Sequence, residues 1–297
     1  MTSEPEPADV SGTSRFSDLL ELTKPRITFM VVLTAGIGAL LASRGDLPLG
    51  LLMHALVGTA LVSGGASAFN QVLEHEVDAR MRRTAQRPIP AGRMSTRIGW
   101  VFSLTVSAIG VAYLLWFVNG LTALLGIVAL LSYVLVYTPL KRSSSLSTLV
   151  GAVPGAIPPM MGWTAIAGEV EPGAWALFGI LFFWQLPHFL AIAWLCREDY
   201  GQAGFPMLPV TDPDGRQTSR QMILYSLALL PVSLAPTALE LTGTAYLVGA
   251  AILGVLFLAF SFNFARSVSR ASARRVMQYS VLYLPLVLGV MVLDRAL

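Results

Sequence analysis

The sequence predicts an all-α polytopic membrane protein of about nine transmembrane helices, with its N-terminus in the cytoplasm and its C-terminus outside. Three observations carry this prediction. Of 297 residues, 55% are hydrophobic and only 12% are charged, where a typical soluble domain carries about 25% charged residues. The apolar residues fall into long continuous runs that do not alternate, which suits helices in lipid and not barrel strands. The basic residues sit almost entirely between alternate runs, as the positive-inside rule requires. The mean hydropathy of +0.66 agrees. Together these features exclude a soluble globular enzyme, a disordered chain and a nucleic-acid-binding module.

The chain opens on a polar stretch with Glu4, Glu6, Asp9 and Asp18. It reads as a disordered cytoplasmic tail over residues 1–22, ahead of a single transmembrane domain over 23–297. With no basic region followed by an apolar one, it is not a signal peptide, and it is too acidic for a mitochondrial transit peptide. Apolar runs follow at 27–43, 50–69, 98–117, 121–138, 147–167, 174–195, 221–238, 243–263 and 277–294. Each is close to the ~20 residues that span a bilayer. The short link at Asn119-Gly120 forces the third and fourth into an antiparallel pair. Glycines and prolines between Gly151 and Pro159 should break or bend the fifth. With the N-terminus inside, eighteen Lys and Arg lie on the inner side, and only Arg44 and Arg295 outside. The single cysteine, Cys196, excludes a disulfide framework. Two inner connections, about 70–97 and 196–220, are long and polar, so function belongs at that face.

The first connection begins with Asn70, Glu74 and Asp78, spaced four residues apart. On a helix they share one face. Two carboxylates and an amide oxygen in a row repel unless a cation lies among them, and such oxygen ligands suit Mg²⁺ held jointly with a substrate phosphate. Arg80, Arg82, Arg83, Arg87 and Arg93 follow. Guanidinium forks match phosphate oxygens, although these arginines would also serve the charge bias alone. Acidic metal ligands beside a basic loop are what a Mg²⁺–diphosphate substrate needs.

The second connection carries Arg197, Glu198, Asp199 and Tyr200, a second acidic group at the same face. Just before it, within the sixth run, Pro187 precedes His188. His188 could touch a metalloporphyrin, transfer a proton or hydrogen-bond within the bundle; His54 reads as a packed, satisfied residue. The fourth run ends with Tyr133, Tyr137 and Lys141, again at four-residue spacing, then Arg142. Lys141 would reach phosphate, while the tyrosine faces could line a cavity wall and stabilise an allylic cation, unless they only mark the membrane interface.

These motifs resemble the UbiA-type intramembrane prenyltransferases, and more narrowly the branch of that family that prenylates heme. The resemblance rests on Leu22-Thr23-Lys24-Pro25-Arg26, on Asn70, Glu74 and Asp78, and on Arg87-Pro88-Ile89-Pro90-Ala91-Gly92. It continues through Tyr137-Thr138-Pro139-Leu140-Lys141-Arg142 and Pro187-His188-Phe189 to Asp199-Tyr200 and Met207-Leu208-Pro209. Glutamate at 74, where the wider family has aspartate, points to the heme branch. The stretch Ser143–Thr148 departs from that branch, where an Asn-Thr pair is expected.

The resemblance implies a helical bundle around a central cavity, in a bacterial inner membrane, with its active site facing the cytoplasm. It implies transfer of a farnesyl group from farnesyl diphosphate to a vinyl group of heme B, with hydration, giving heme O for terminal oxidases. Asn70, Glu74, Asp78 and Asp199 are then the Mg²⁺ ligands. Arg80, Arg83, Arg87, Arg142, Arg197 and Lys141 are the diphosphate contacts, Tyr133, Tyr137 and Tyr200 line the site, and His188 meets heme. Heme is substrate, and heme A synthase or a terminal oxidase assembly is a partner beside the bilayer. The competing expectations are an aromatic quinone precursor as acceptor, a cation-coupled transporter and a noncatalytic heme chaperone.

Overall fold

The computed structural model describes residues 15–295. The stretch of the expected tail before Arg15 lies outside them. Among the described residues, nine helical spans are long and apolar enough to cross a membrane, and there is no strand beyond an isolated bridge between Thr242 and Arg295. The spans are α2 (Pro25–Ala42), α3 (Leu49–Leu73) and α5 (Thr96–Phe117). The fourth is α6 (Gly120–Leu131), continued by a π-helical turn (Ser132–Tyr137) and α7 (Thr138–Leu140). The fifth is α8 (Ser147–Ala156) with α9 (Pro158–Ala167). Then come α10 (Pro172–Leu195), α13 (Arg216–Ala238), α14 (Thr244–Ser267) and α15 (Arg270–Leu293). Short helices α1 (Arg15–Leu22), α4 (His75–Asp78), α11 (Arg197–Gln202) and α12 (Leu208–Thr211) lie at one end.

The fifth span divides at Ile157, immediately before Pro158-Pro159, as its prolines predict. The sixth runs through Pro187 unbroken. At the Asn119 link, the side chain accepts from the Thr122 amide at 2.8 Å and caps α6. The bundle is assembled by α3 on α5, α2 on α9, and α10 against α8, α13 and α15. Small residues permit these contacts. A methyl group on Gly162 would lie 1.7 Å from the backbone oxygen of Ala35, and one on Gly65 would lie 2.1 Å from Ser107 Oγ. His54 is satisfied inside the bundle by Tyr113 Oη at 2.8 Å.

The tail expectation fails over its last third. Residues 15–22 form α1, which packs on the bundle with Leu22 fully buried. Buried Gln71 donates from Nε2 to the carbonyls of Glu21 and Leu22, both at 3.1 Å, so it satisfies the open carbonyl end of α1. Arg93 completes the anchor, pairing with Asp18 at 2.9 Å and Glu21 at 2.7 Å. Asp18, one of the acidic residues that suggest a solvated tail, is a partner of this arginine.

Candidate functional site

The chain turns from α1 into α2 at Lys24, which adopts a left-handed conformation with φ 49°. The turn aims its ammonium inward, where Nζ donates to Asn70 Oδ1 at 2.8 Å. Asn70 lies in the last turn of α3 and donates in turn to Thr138 Oγ1 at 3.3 Å. The helix breaks at Glu74, yet the Glu74 and Asp78 amides still bond to the carbonyls of Asn70 and Glu74, at 3.0 and 2.8 Å. The four-residue spacing therefore survives the break. Asn70, Glu74 and Asp78 face the same interior and are 3%, 1% and 1% exposed.

Burying two carboxylates is expensive unless each is paired, and each has its own cation. Lys141 Nζ lies 3.1 Å from both Glu74 oxygens. Arg87 donates to Asp78 Oδ2 at 2.5 Å. The other oxygen, Asp78 Oδ1, is buried without a hydrogen-bond partner. The π-helical turn delivers Lys141. Its wider turn bonds the Thr138 amide to the Tyr133 carbonyl five residues back, stacks Tyr133 on Tyr137 with ring centres 5.2 Å apart, and brings both rings beside the cluster. Glu74 acts electrostatically on both rings, and Asp78 and Arg87 act on Tyr133.

The two polar connections meet above this cluster. Arg83 donates to Tyr200 Oη at 2.9 Å and lies over its ring. Lys141 lies 4.7 Å from the ring centre of Phe205. Met81 of the first connection packs with Tyr200, Phe205 and Met207 of the second. Burial pushes the Tyr200 phenol up, against the pull of Arg83 and Lys141. Burial likewise drives the Lys24 ammonium down to about 7, aided by Arg87 and Lys141 and opposed by Glu74 and Asp78.

The structure thus gathers Asn70, Glu74, Asp78, Arg83, Arg87, Tyr133, Tyr137, Lys141 and Tyr200. It places five other sequence candidates elsewhere. Arg142 donates to the Leu73 carbonyl and satisfies the end of α3. Arg197 stacks on Trp194 at 4.6 Å, and Arg80 is exposed. His188 faces α15, with Nδ1 2.7 Å from Ser280 Oγ and its ring stacked on Trp184. Asp199 lies half-buried on α11. Among the described residues, no three His, Cys, Asp or Glu side chains converge on a metal position, so Asp199 does not join Glu74 and Asp78. Lys24 and Phe205 were not among the sequence candidates. Only the pairing of a Lys-Pro turn with a buried amide 46 residues away reveals Lys24.

The donor set suits a hard divalent cation. It comprises an amide oxygen, a carboxylate and one orphaned carboxylate oxygen, all buried; a cation of the Mg²⁺ type takes few protein ligands and completes its shell with phosphate oxygens and water.

Comparison with known proteins identifies the family and the fold. The model of the UbiA prenyltransferase family matches residues 31–284. Protoheme IX farnesyltransferase of Solibacter usitatus is 46% identical over 287 residues, covering 94% of this chain and 98% of that one. The protein of the same name from Koribacter versatilis is 47% identical over 294 residues, covering 96% and 95%. Among solved structures, digeranylgeranylglyceryl phosphate synthase superposes with a TM-score of 0.81 at 17% identity, covering 94% of this chain and 98% of that one. A UbiA homologue from Archaeoglobus fulgidus bound to GPP and Mg²⁺ superposes with a TM-score of 0.62 at 16% identity, covering 93% and 99%. The two structures carry the likeness of fold.

Proposed function

The chain belongs to the UbiA prenyltransferase family, and on that premise we propose that it joins the farnesyl group of farnesyl diphosphate to a vinyl group of protoheme IX. The relatives at 46% and 47% identity carry that activity in their names. The observation that supports the chemistry is the buried row Asn70, Glu74 and Asp78 with Lys24, Lys141 and Arg87 set against it, at the polar end of an apolar bundle.

In the reaction the farnesyl C1–O bond breaks and its electron pair leaves with diphosphate. C1 bonds to the vinyl group, the resulting cation takes the oxygen of a water molecule, and that water's proton is released. The heme vinyl is the nucleophile, so the protein needs no activated nucleophile of its own. Negative charge grows on the leaving group, and the chain must neutralise it before the bond opens.

A Mg²⁺ ion held by Asn70, Glu74 and Asp78 would supply Lewis acidity to the diphosphate. Asp199 stands apart from these three, so its part would come through the diphosphate and not through a shared carboxylate cluster. Lys141, Arg87, Arg83 and Lys24 would turn from their internal partners to the phosphate oxygens. Arg80, Arg142 and Arg197 stand further out and would act on the approach of the substrate. Tyr133 and Tyr137, stacked beside the cluster, would present ring faces to the allylic cation. The docked connections, closed by Tyr200 on Arg83, would keep water from capturing that cation early. The excess of basic residues at this end supports a site facing the cytoplasm, and the membrane proposed for it is a bacterial inner membrane. His188 would contact heme only from the α15 side.

Membranes carrying the protein, given labelled farnesyl diphosphate with either heme B or 4-hydroxybenzoate, test the reading. Label should enter a heme O fraction and depend on added Mg²⁺. Label found only in the phenol would assign the fold to another acceptor, and no label in either would leave a noncatalytic role.

A further inference from the structure

The helices that contribute least to the cluster, α13 and α14, form a groove of about 380 Å³ at the polar end of the bundle. Arg216 and Arg220 stand one turn apart on its wall, with Asp214 at the rim, and Ile223, Leu224 and Val268 form an apolar floor. Both arginines are exposed, and neither forms an ion pair among the described residues. Arg266, in the last turn of α14, adds a third positive charge nearby. From the groove, α13 continues with Leu224 and Leu227 about half exposed. At 1.5 Å per residue, Leu227 lies roughly 10 Å along the helix from Arg220, which is the step from headgroup depth to acyl chains.

Free guanidinium groups above an apolar channel, between two transmembrane helices at the basic face, match one chemistry. The charge requires an anion, the channel requires a hydrocarbon chain, and the depth places the two in that order. The geometry points to a binding site for one anionic phospholipid. Its phosphate lies between Arg216 and Arg220, and an acyl chain runs along Ile223, Leu224 and Leu227. A free phosphate would use only the upper half of the groove. The site is independent of the prenyl transfer reaction.

Native mass spectrometry of the detergent-purified full chain tests this with phosphatidylglycerol, phosphatidylcholine and inorganic phosphate as probes. One phosphatidylglycerol should be retained, phosphatidylcholine should not, and millimolar phosphate should not displace the lipid. Arg216→Gln/Arg220→Gln should weaken retention roughly thirtyfold, at about fivefold per lost charge. Arg274→Gln/Arg275→Gln, an equal charge loss at exposed positions of α15, should change it less than threefold. Equal losses in the two variants, or none in either, would overturn the proposal, as would displacement by phosphate alone. Should the first variant fail to fold, photoactivatable phosphatidylglycerol on the unaltered chain decides. Cross-links must map to 216–227 or 265–268, and cross-links elsewhere overturn the site.

Discussion

Lys141 Nζ sits 3.1 Å from both carboxylate oxygens of Glu74, although the two residues are 67 positions apart and both are buried. The pair joins the end of the second span to the end of the fourth. Removing one partner strands a buried charge, which costs about 3–5 kcal/mol. Lys141→Met should therefore lower the thermal midpoint in detergent and abolish heme O formation. Adding Glu74→Gln should restore most of the stability and none of the turnover. Recovery of both, read from pigment chromatography alongside unfolding, would make the pair purely structural.

Asp78 differs from Glu74 in that one of its oxygens has no partner. Asp78→Asn keeps the shape and a hydrogen-bond acceptor for Arg87 but removes the charge that a divalent cation needs. Heme O formation should fall by at least about a hundredfold, while membrane insertion and yield stay unchanged. Turnover within threefold of the unaltered chain would remove the metal-site argument.

Tyr200 and Arg83 hold the two polar connections together at 2.9 Å. Tyr200→Phe deletes a hydrogen bond to a charged group, a loss of about 1.5–3 kcal/mol, and leaves the ring for Arg83 and Lys141 to lie against. Hydrogen exchange should quicken over 197–205, and kcat/KM for farnesyl diphosphate should drop roughly tenfold. Unaltered exchange in that segment would show that the connections do not close through this bond.

Lys24 provides a pH signature. Its folded value of about 7 lies below the 10.5 of the free side chain. Between those values the unfolded chain binds a proton that the folded chain has released, so this group makes stability rise with pH. Below pH 7 both states are protonated and the cost of burying the cation is fully present. The thermal midpoint of the metal-free protein should climb from pH 7 to pH 9, and Lys24→Met should flatten that climb. Parallel curves for the two proteins would locate the titration elsewhere.

The sequence by itself determined the fold class, the number of spans and the end of the bundle at which the polar motifs gather. Continuous apolar runs and one-sided basic charge are local or additive properties, and the bilayer imposes them on every span. It also singled out Asn70, Glu74 and Asp78, because their spacing is a helical one and the backbone bonds across Glu74 preserve it. Tertiary structure alone decided which charges meet. Arg87 and Lys141 pair with carboxylates inside, while Arg142 and Arg197 turn to a helix end and a tryptophan. Arginines look alike in a sequence, and long flexible side chains take their partner from whatever the packed helices bring within reach. The same reason separates Asp18, read as part of a solvated tail, from its place beside Arg93. That pairing accompanies the packing of α1 on the bundle, where Gln71 bonds its last carbonyls. Lys24 reaches Asn70 only through a left-handed turn in front of Pro25, a backbone choice that becomes favourable when the fold supplies a buried oxygen to meet the ammonium.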